Sequence, residues 1–193
     1  MTTAKRALDP ALLHTILSRV EKPARYTGNE LNMAQKTGAP HRFALCFPDV
    51  YEIGMSHLGS RILYHVLNSR GDTYCERCFA PWGDMERQLR EHGLPLFSLE
   101  TRTPLAEFDV VGFSLLYEMC YTNLLNMLDL SGIPLYSRDR GEDVPLILCG
   151  GPCACNPEPL AAFVDAVMLG DGEELVGDVM DCVVAAKRDK LSR

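Results

Sequence analysis

Three cysteines lie at the end of an apolar run and on both sides of a pair of glycines in the segment "LILCGGPCACNPEPL", residues 146–160. Thiolates at short spacing are metal ligands, so Cys149, Cys153 and Cys155 could hold a metal ion. Free cysteines are also small and mostly buried, and the glycines between Cys149 and Cys153 let a bulky group approach the backbone closely. The segment therefore has two interpretations, a thiol metal site or a loop on which a cofactor lies.

Two glycines further along the chain do not form a phosphate-binding motif. "LGDGEE" is too short for a P-loop or a G-x-G-x-x-G fingerprint, and neither motif follows the first apolar run. Asp171 and Glu174 form a predicted capping box, and Glu173 adds a third acid at the same helix start. These acids repel a phosphate from that helix N-terminus, which argues against a nucleoside triphosphate site.

Short apolar runs alternate with amphipathic helical patterns over most of the chain. Strands that are apolar on both faces and alternate with helices indicate a parallel sheet covered on both sides. We therefore predict an α/β domain, a doubly wound, flavodoxin-like five-stranded parallel sheet of order 2-1-3-4-5. Its predicted strands are 42–47, 73–80, 109–116, 145–150 and 166–170, with a short extra strand at 95–100.

The first 41 residues differ in pattern from the rest. Asp9 and Pro10 are typical of a helix N-cap and first turn, and leucines recur behind them at helical spacing. Turn-forming residues follow, so we predict an N-terminal helix and connecting arm over 1–41 and the α/β domain over 42–193. Within the domain, "PDVYEIGMS" is predicted as a loop, with Ser56 capping the next helix.

The pair Cys75 and Cys78 forms an isolated C-x-x-C. A structural zinc site needs four ligands, and Cys153 with Cys155 would have to supply the other two. In the predicted order, strands 2 and 4 are separated by about 14 Å, whereas thiolates sharing one zinc lie within about 4 Å of each other. A thioredoxin-like pair needs a helix N-terminus, and this pair lies in a strand. We interpret both thiols as packing residues.

The bulk composition bounds the class of protein. With 47% hydrophobic and 23% charged residues, the chain can bury an ordinary core. A net charge of −7 argues against a nucleic-acid-binding face and against an anionic membrane surface. No stretch reaches the roughly 20 apolar residues of a membrane span. Eight cysteines without an export signal indicate reduced thiols, so we expect a cytoplasmic protein.

Several longer motifs carry a family resemblance. "FDVVGFSLL", "LILCGGPCACNPEPL" and "VDAVMLGDGEE" resemble the cobalamin-binding domain that precedes the catalytic barrel of many radical S-adenosylmethionine (SAM) enzymes. "VEKPARYTGNELN", "FPDVYEIGMSHLGSRILYHVLN" and "FAPWGDMERQLREHGLPLFSLET" resemble the N-terminal module of one uncharacterised branch of those fusion proteins. The resemblance covers residues 19–180 and implies a flavodoxin-like fold beside a radical enzyme barrel.

The resemblance also implies where a cofactor would bind. Ser114, Leu115 and Leu116 match a Ser-x-Leu mark that holds the cobalamin nucleotide tail, and Gly150 and Gly151 match a Gly-Gly mark. The third mark, Asp-x-His-x-x-Gly, is missing, because no Asp stands two residues before His57, so the cobalt-ligand role is not carried over. We predict as cofactor-binding residues Tyr51, Ser114, Leu115, Leu116, Gly150, Gly151, Pro152, Gly170 and Gly172.

These observations predict a module that is not catalytic alone. It would present a corrinoid or a substrate face to a radical SAM barrel in the same or a partner chain. By resemblance the iron–sulfur cluster and SAM belong to that barrel, whose Cys-x-x-x-Cys-x-x-Cys motif is absent, because the gap between Cys153 and Cys155 is one residue short. The alternatives are a docking module without a cofactor and a thiol metal-binding domain.

Overall fold

The computed structural model describes residues 10–192, and within them five parallel strands form one sheet in the order β2-β1-β3-β4-β5. This confirms the doubly wound α/β fold and its strand order. The extra strand expected at 95–100 is only an isolated antiparallel bridge between Phe97 and Pro104. The strands are β1 (His41–Phe47), β2 (Thr73–Phe79), β3 (Val110–Ser114), β4 (Leu146–Gly150) and β5 (Ala166–Val167).

Successive residues of each strand enter different cores, because side chains alternate across a sheet. On β1, Ala44 and Cys46 join the larger core, whereas Phe43 and Leu45 join the smaller one. Helices α1, α4 and α5 cover the larger core, and α3 and α6 cover the smaller. The helices are α1 (Pro10–Leu17), α2 (Tyr51–Ser56), α3 (Leu58–Ser69), α4 (Gly83–His92), α5 (Cys120–Leu130) and α6 (Gly172–Asp189).

Some local features differ from the sequence-based expectations. The segment predicted as a loop contains α2, and the N-cap of α3 is His57 rather than Ser56. Asp171 is the N-cap of α6, but its side chain makes no capping hydrogen bond, so the predicted capping box does not form. Strand β5 has two residues rather than five, and it pairs with Leu148 and Cys149 of β4 alone. The predicted cap Asp9 lies outside the described residues.

The arm between α1 and β1 lies along the outer strand β2. The guanidinium of Arg77 on β2 forms ion pairs with Glu30 of the arm at 3.1 Å and with Glu100 at 2.6 Å. The backbone N–H of Arg77 also donates to Glu100 Oε2 at 2.7 Å, and the backbone N–H of Leu99 donates to the Arg77 carbonyl at 2.8 Å. One side chain thus joins the arm, the strand and the segment that contains Glu100.

A further ion pair ties the arm to α2. Arg25 Nε donates to Glu52 Oε1 at 2.9 Å, and this hydrogen bond lowers the pKa of Glu52 to about 2. A carboxyl whose pKa is depressed in the folded state stabilises it above the ordinary pKa, and the contribution is lost as the pH falls toward about 2.

We expect carboxyl-detected NMR to report a Glu52 midpoint near 2 in the wild-type chain. In Arg25→Ala, the pKa should rise toward the ordinary value of about 4.3, because the main hydrogen-bond donor is gone. Equal midpoints in the two proteins would contradict the assignment.

No helix within residues 10–192 combines the length and the apolar character that a membrane span requires.

Candidate functional site

A cleft of about 240 Å³ opens where the strands end, between the sheet and helices α3 and α6. The β3 and β4 residues that point toward these helices near the strand ends are Gly112, Ser114 and Gly150, and Ser114 is paired with Gly150 across the sheet. The Phe43 ring covers Gly112, where an added Cβ would lie 2.5 Å from the ring, so the uncovered backbone is that of Ser114 and Gly150. Leu148, two residues before Gly150, is large and packs in the core. The cleft exists because β3 and β4 both end in small residues, Ser114 and Gly150, which are paired with each other across the sheet. We call this uncovered backbone the shelf.

The glycines around the shelf are not equivalent. A Cβ on Gly150 would lie 3.5 Å from Met168 Cβ, an ordinary contact, so a side chain could be added there. Gly151 has φ +104°, and a Cβ there would lie 2.6 Å from the carbonyl oxygen of Leu115, so the backbone itself requires glycine. The fold therefore tolerates a larger residue at position 150, whereas it requires glycine at position 151.

Most of the predicted cofactor-binding residues surround this cleft. Leu115 is 1% exposed and packs in the opposite core, because it is next to Ser114 and side chains alternate. Tyr51 lies apart from the cleft, where its hydroxyl donates to Glu30 at 3.1 Å and its ring packs edge-on against Phe79. The predicted residues that line the cleft are Ser114, Leu116, Gly150, Gly151, Pro152, Gly170 and Gly172.

The structure adds His57 to the site, although sequence analysis assigned no role to this residue. Its Nδ1 accepts a hydrogen bond from the Ser60 N–H at 3.1 Å, and the ring lines the cleft. Burial lowers the pKa of His57, which favours the neutral ring. Because Nδ1 is an acceptor, the proton of the neutral ring sits on Nε2, which can donate to a ligand. The sequence signal was the position of His57 just before an amphipathic helix.

The cleft is mostly apolar, and its polar groups are few. Phe43, Leu45 and Val176 form its inner wall, and the Ser114 hydroxyl makes no hydrogen bond with the described residues. Among the described residues that line it, Glu173 is the one acidic residue, and no Lys or Arg is present. An uncharged flat group with a few polar atoms fits these walls, whereas a bare phosphate would meet a carboxylate.

Five of the eight cysteines are buried, and Cys149 and Cys75 are among them. Cys149 is 2% exposed and packs in the core away from the shelf, and burial raises its pKa to about 11. Burial also raises the pKa of Cys75 well above its ordinary value. The thiolate is the form that binds metals, so these shifts disfavour coordination. Within residues 10–192, no three His, Cys, Asp or Glu side chains come together in a group that could hold a metal ion.

Comparison with known proteins gives one family. A family model described as "Radical SAM proteins, N-terminal" matches residues 59–193, from the first turn of α3 onward. The matched region includes β3, β4 and the shelf between them. No curated protein matches the chain.

Proposed function

The chain belongs to the family of N-terminal domains of radical SAM proteins, and on that premise we propose that it binds a corrinoid at the shelf. It presents this cofactor, or a substrate bound beside it, to a radical SAM catalytic domain. The observation that carries the proposal is the pairing of Ser114 with Gly150 at the strand ends, where a large flat ligand can lie against the backbone. Ligands of open α/β sheets bind at this end of the strands.

Two groups of residues in the cleft have different roles in binding, one apolar and one polar. The apolar wall of Phe43, Leu45 and Val176 excludes water from an inserted ring. The Ser114 hydroxyl and His57 Nε2 orient the polar atoms of that ring by hydrogen bonding. When bound, a corrinoid supplies a cobalt centre for group or electron transfer. The iron–sulfur cluster and SAM are proposed to reside in the catalytic domain.

Uptake of hydroxocobalamin tests this proposal. The purified chain is mixed with excess hydroxocobalamin and separated by gel filtration, and the visible spectrum of the protein peak is recorded. We expect the corrinoid bands to co-elute with the protein. The exposed variant Leu31→Ser, on the arm, serves as a control and is expected to bind equally well. Absence of bound corrinoid at high micromolar concentration would contradict the proposal and favour a docking module without a cofactor.

A further inference from the structure

Exposed apolar side chains concentrate at the end of the sheet where the cleft opens. Of the ten large exposed apolar side chains among the described residues, six lie in the segments that follow β1, β2, β3 and β5. Leu58 stands beside the cleft residues His57 and Gly59, and Leu169 stands beside the cleft residues Met168 and Gly170. We call this set the apolar rim, and its members are Ile53, Leu58, Trp82, Tyr117, Met119 and Leu169.

Three rim side chains are more than half exposed. Met119 is 81% exposed, Leu58 is 65% exposed and Leu169 is 61% exposed. Scattered exposed apolar residues are normal on a protein surface, but a group of large ones at one end of a sheet, several of them beside a cleft, is typical of an interaction site. The rim therefore has the composition of a surface that another molecule covers.

The charges between the rim residues are of one sign. The segments 48–59, 80–84, 115–119, 151–159 and 168–174 contain eight Asp or Glu and no Lys or Arg. Glu52 is paired with Lys22 and Arg25 of the arm, but Glu118, Glu158 and Glu174 form no ion pair with any residue of 10–192. Even with Arg61 one turn into α3, this end of the molecule remains acidic.

We propose that the apolar rim is the docking surface for the radical SAM catalytic domain, through a face of that domain that carries basic residues around an apolar patch. Charge complementarity requires a basic partner surface, and the family assignment makes the catalytic domain the partner to which we assign it. A second copy of the chain would place unpaired carboxylates against unpaired carboxylates. The proposal rests on the proposed function, because a partner docked on the rim closes the mouth of the cleft over its ligand.

Direct binding to the cognate catalytic domain tests the surface. The chain, without corrinoid, is titrated with the separately purified radical SAM catalytic domain in a calorimeter at low and at high ionic strength. We expect association that weakens as salt increases, because surface charge pairs are screened. The variant Leu58→Ser with Leu169→Ser should weaken binding about tenfold or more. Glu118→Lys with Glu158→Lys should weaken it mainly at low salt.

Matched controls separate the rim from the rest of the surface. Leu31→Ser removes an exposed leucine from the arm, and Asp178→Lys reverses an exposed charge along α6, and both should bind as the wild type does. Three results would overturn the proposal: no association, equal weakening by the controls, or a dimer of the chain alone that the rim variants abolish. Corrinoid uptake is measured separately, so loss of uptake with intact docking would overturn the cofactor assignment alone.

Discussion

Substitution of Gly150 by valine is expected to lower hydroxocobalamin uptake about tenfold or more while the chain stays folded. A valine side chain at this position stands on the shelf beside Ser114 and occupies the space in which a flat ligand would lie. The backbone tolerates it, because a Cβ there meets Met168 at an ordinary contact distance of 3.5 Å. Uptake is measured by visible absorbance of the gel-filtered protein, and folding by circular dichroism.

The control for this substitution is Cys155→Ser. Cys155 is exposed in the same loop and does not line the cleft, so uptake should match the wild type. Gly151→Val is less informative, since its positive φ and its contact with the Leu115 carbonyl would strain the backbone before any ligand arrives. Equal uptake by Gly150→Val and the wild type would show that the shelf is not part of the binding site.

Replacement of Arg77 by methionine is expected to reduce the free energy of unfolding at neutral pH by about 3–5 kcal/mol, the usual cost of stranding a buried charge. The side chain of Glu100 is fully buried and would lose its cation, and Glu30 would lose its ion pair while keeping the hydrogen bond from the Tyr51 hydroxyl. Burial already raises the pKa of Glu100, and removal of Arg77 raises it further.

The loss should depend on pH with a definite sign. A carboxyl whose pKa is higher in the folded than in the unfolded state makes the fold less stable as the pH rises from the unfolded to the folded value. The destabilisation of Arg77→Met should therefore diminish as the pH falls toward about 4.3. Urea unfolding across that range measures it. The double variant with Glu100→Gln should recover part of the stability, and a pH-independent loss would show that Glu100 is not the group responsible.

The fold could be predicted from sequence because each strand repeats one simple physical pattern. The runs around Val111 and Ile147 are apolar on both faces, and only a sheet covered on both sides buries them. Helix α2 could not be predicted, because six residues have little helical tendency alone. It is held by packing of Gly54 against Phe79, the last residue of β2.

Sequence could predict the residues of the candidate site only where the position of a residue along its own strand decides where it lies. Ser114 and Gly150 interrupt apolar strands with small residues, and parallel pairing brings such interruptions to one level. Side chains alternate along a strand, so Leu115 lies on the opposite face of the sheet from Ser114. The Ser-x-Leu motif alone does not indicate this, because it lists the residues without their faces. His57 reaches the cleft only because α3 begins there and Ser60 fixes its ring, and both depend on tertiary structure.

The two lateral strands of the sheet offer little to a foreign chain. On β2, the outward amide and carbonyl of Cys75 bond to the Asn68 side chain, and those of Arg77 bond to Glu100 and Leu99. At the other side, β5 has only two residues. Long unpaired strands template amyloid-like stacking, and native proteins avoid it by shortening or covering them. Loss of the tether around Arg77 would therefore expose this domain to aggregation by strand addition, before its hydrophobic interior opens.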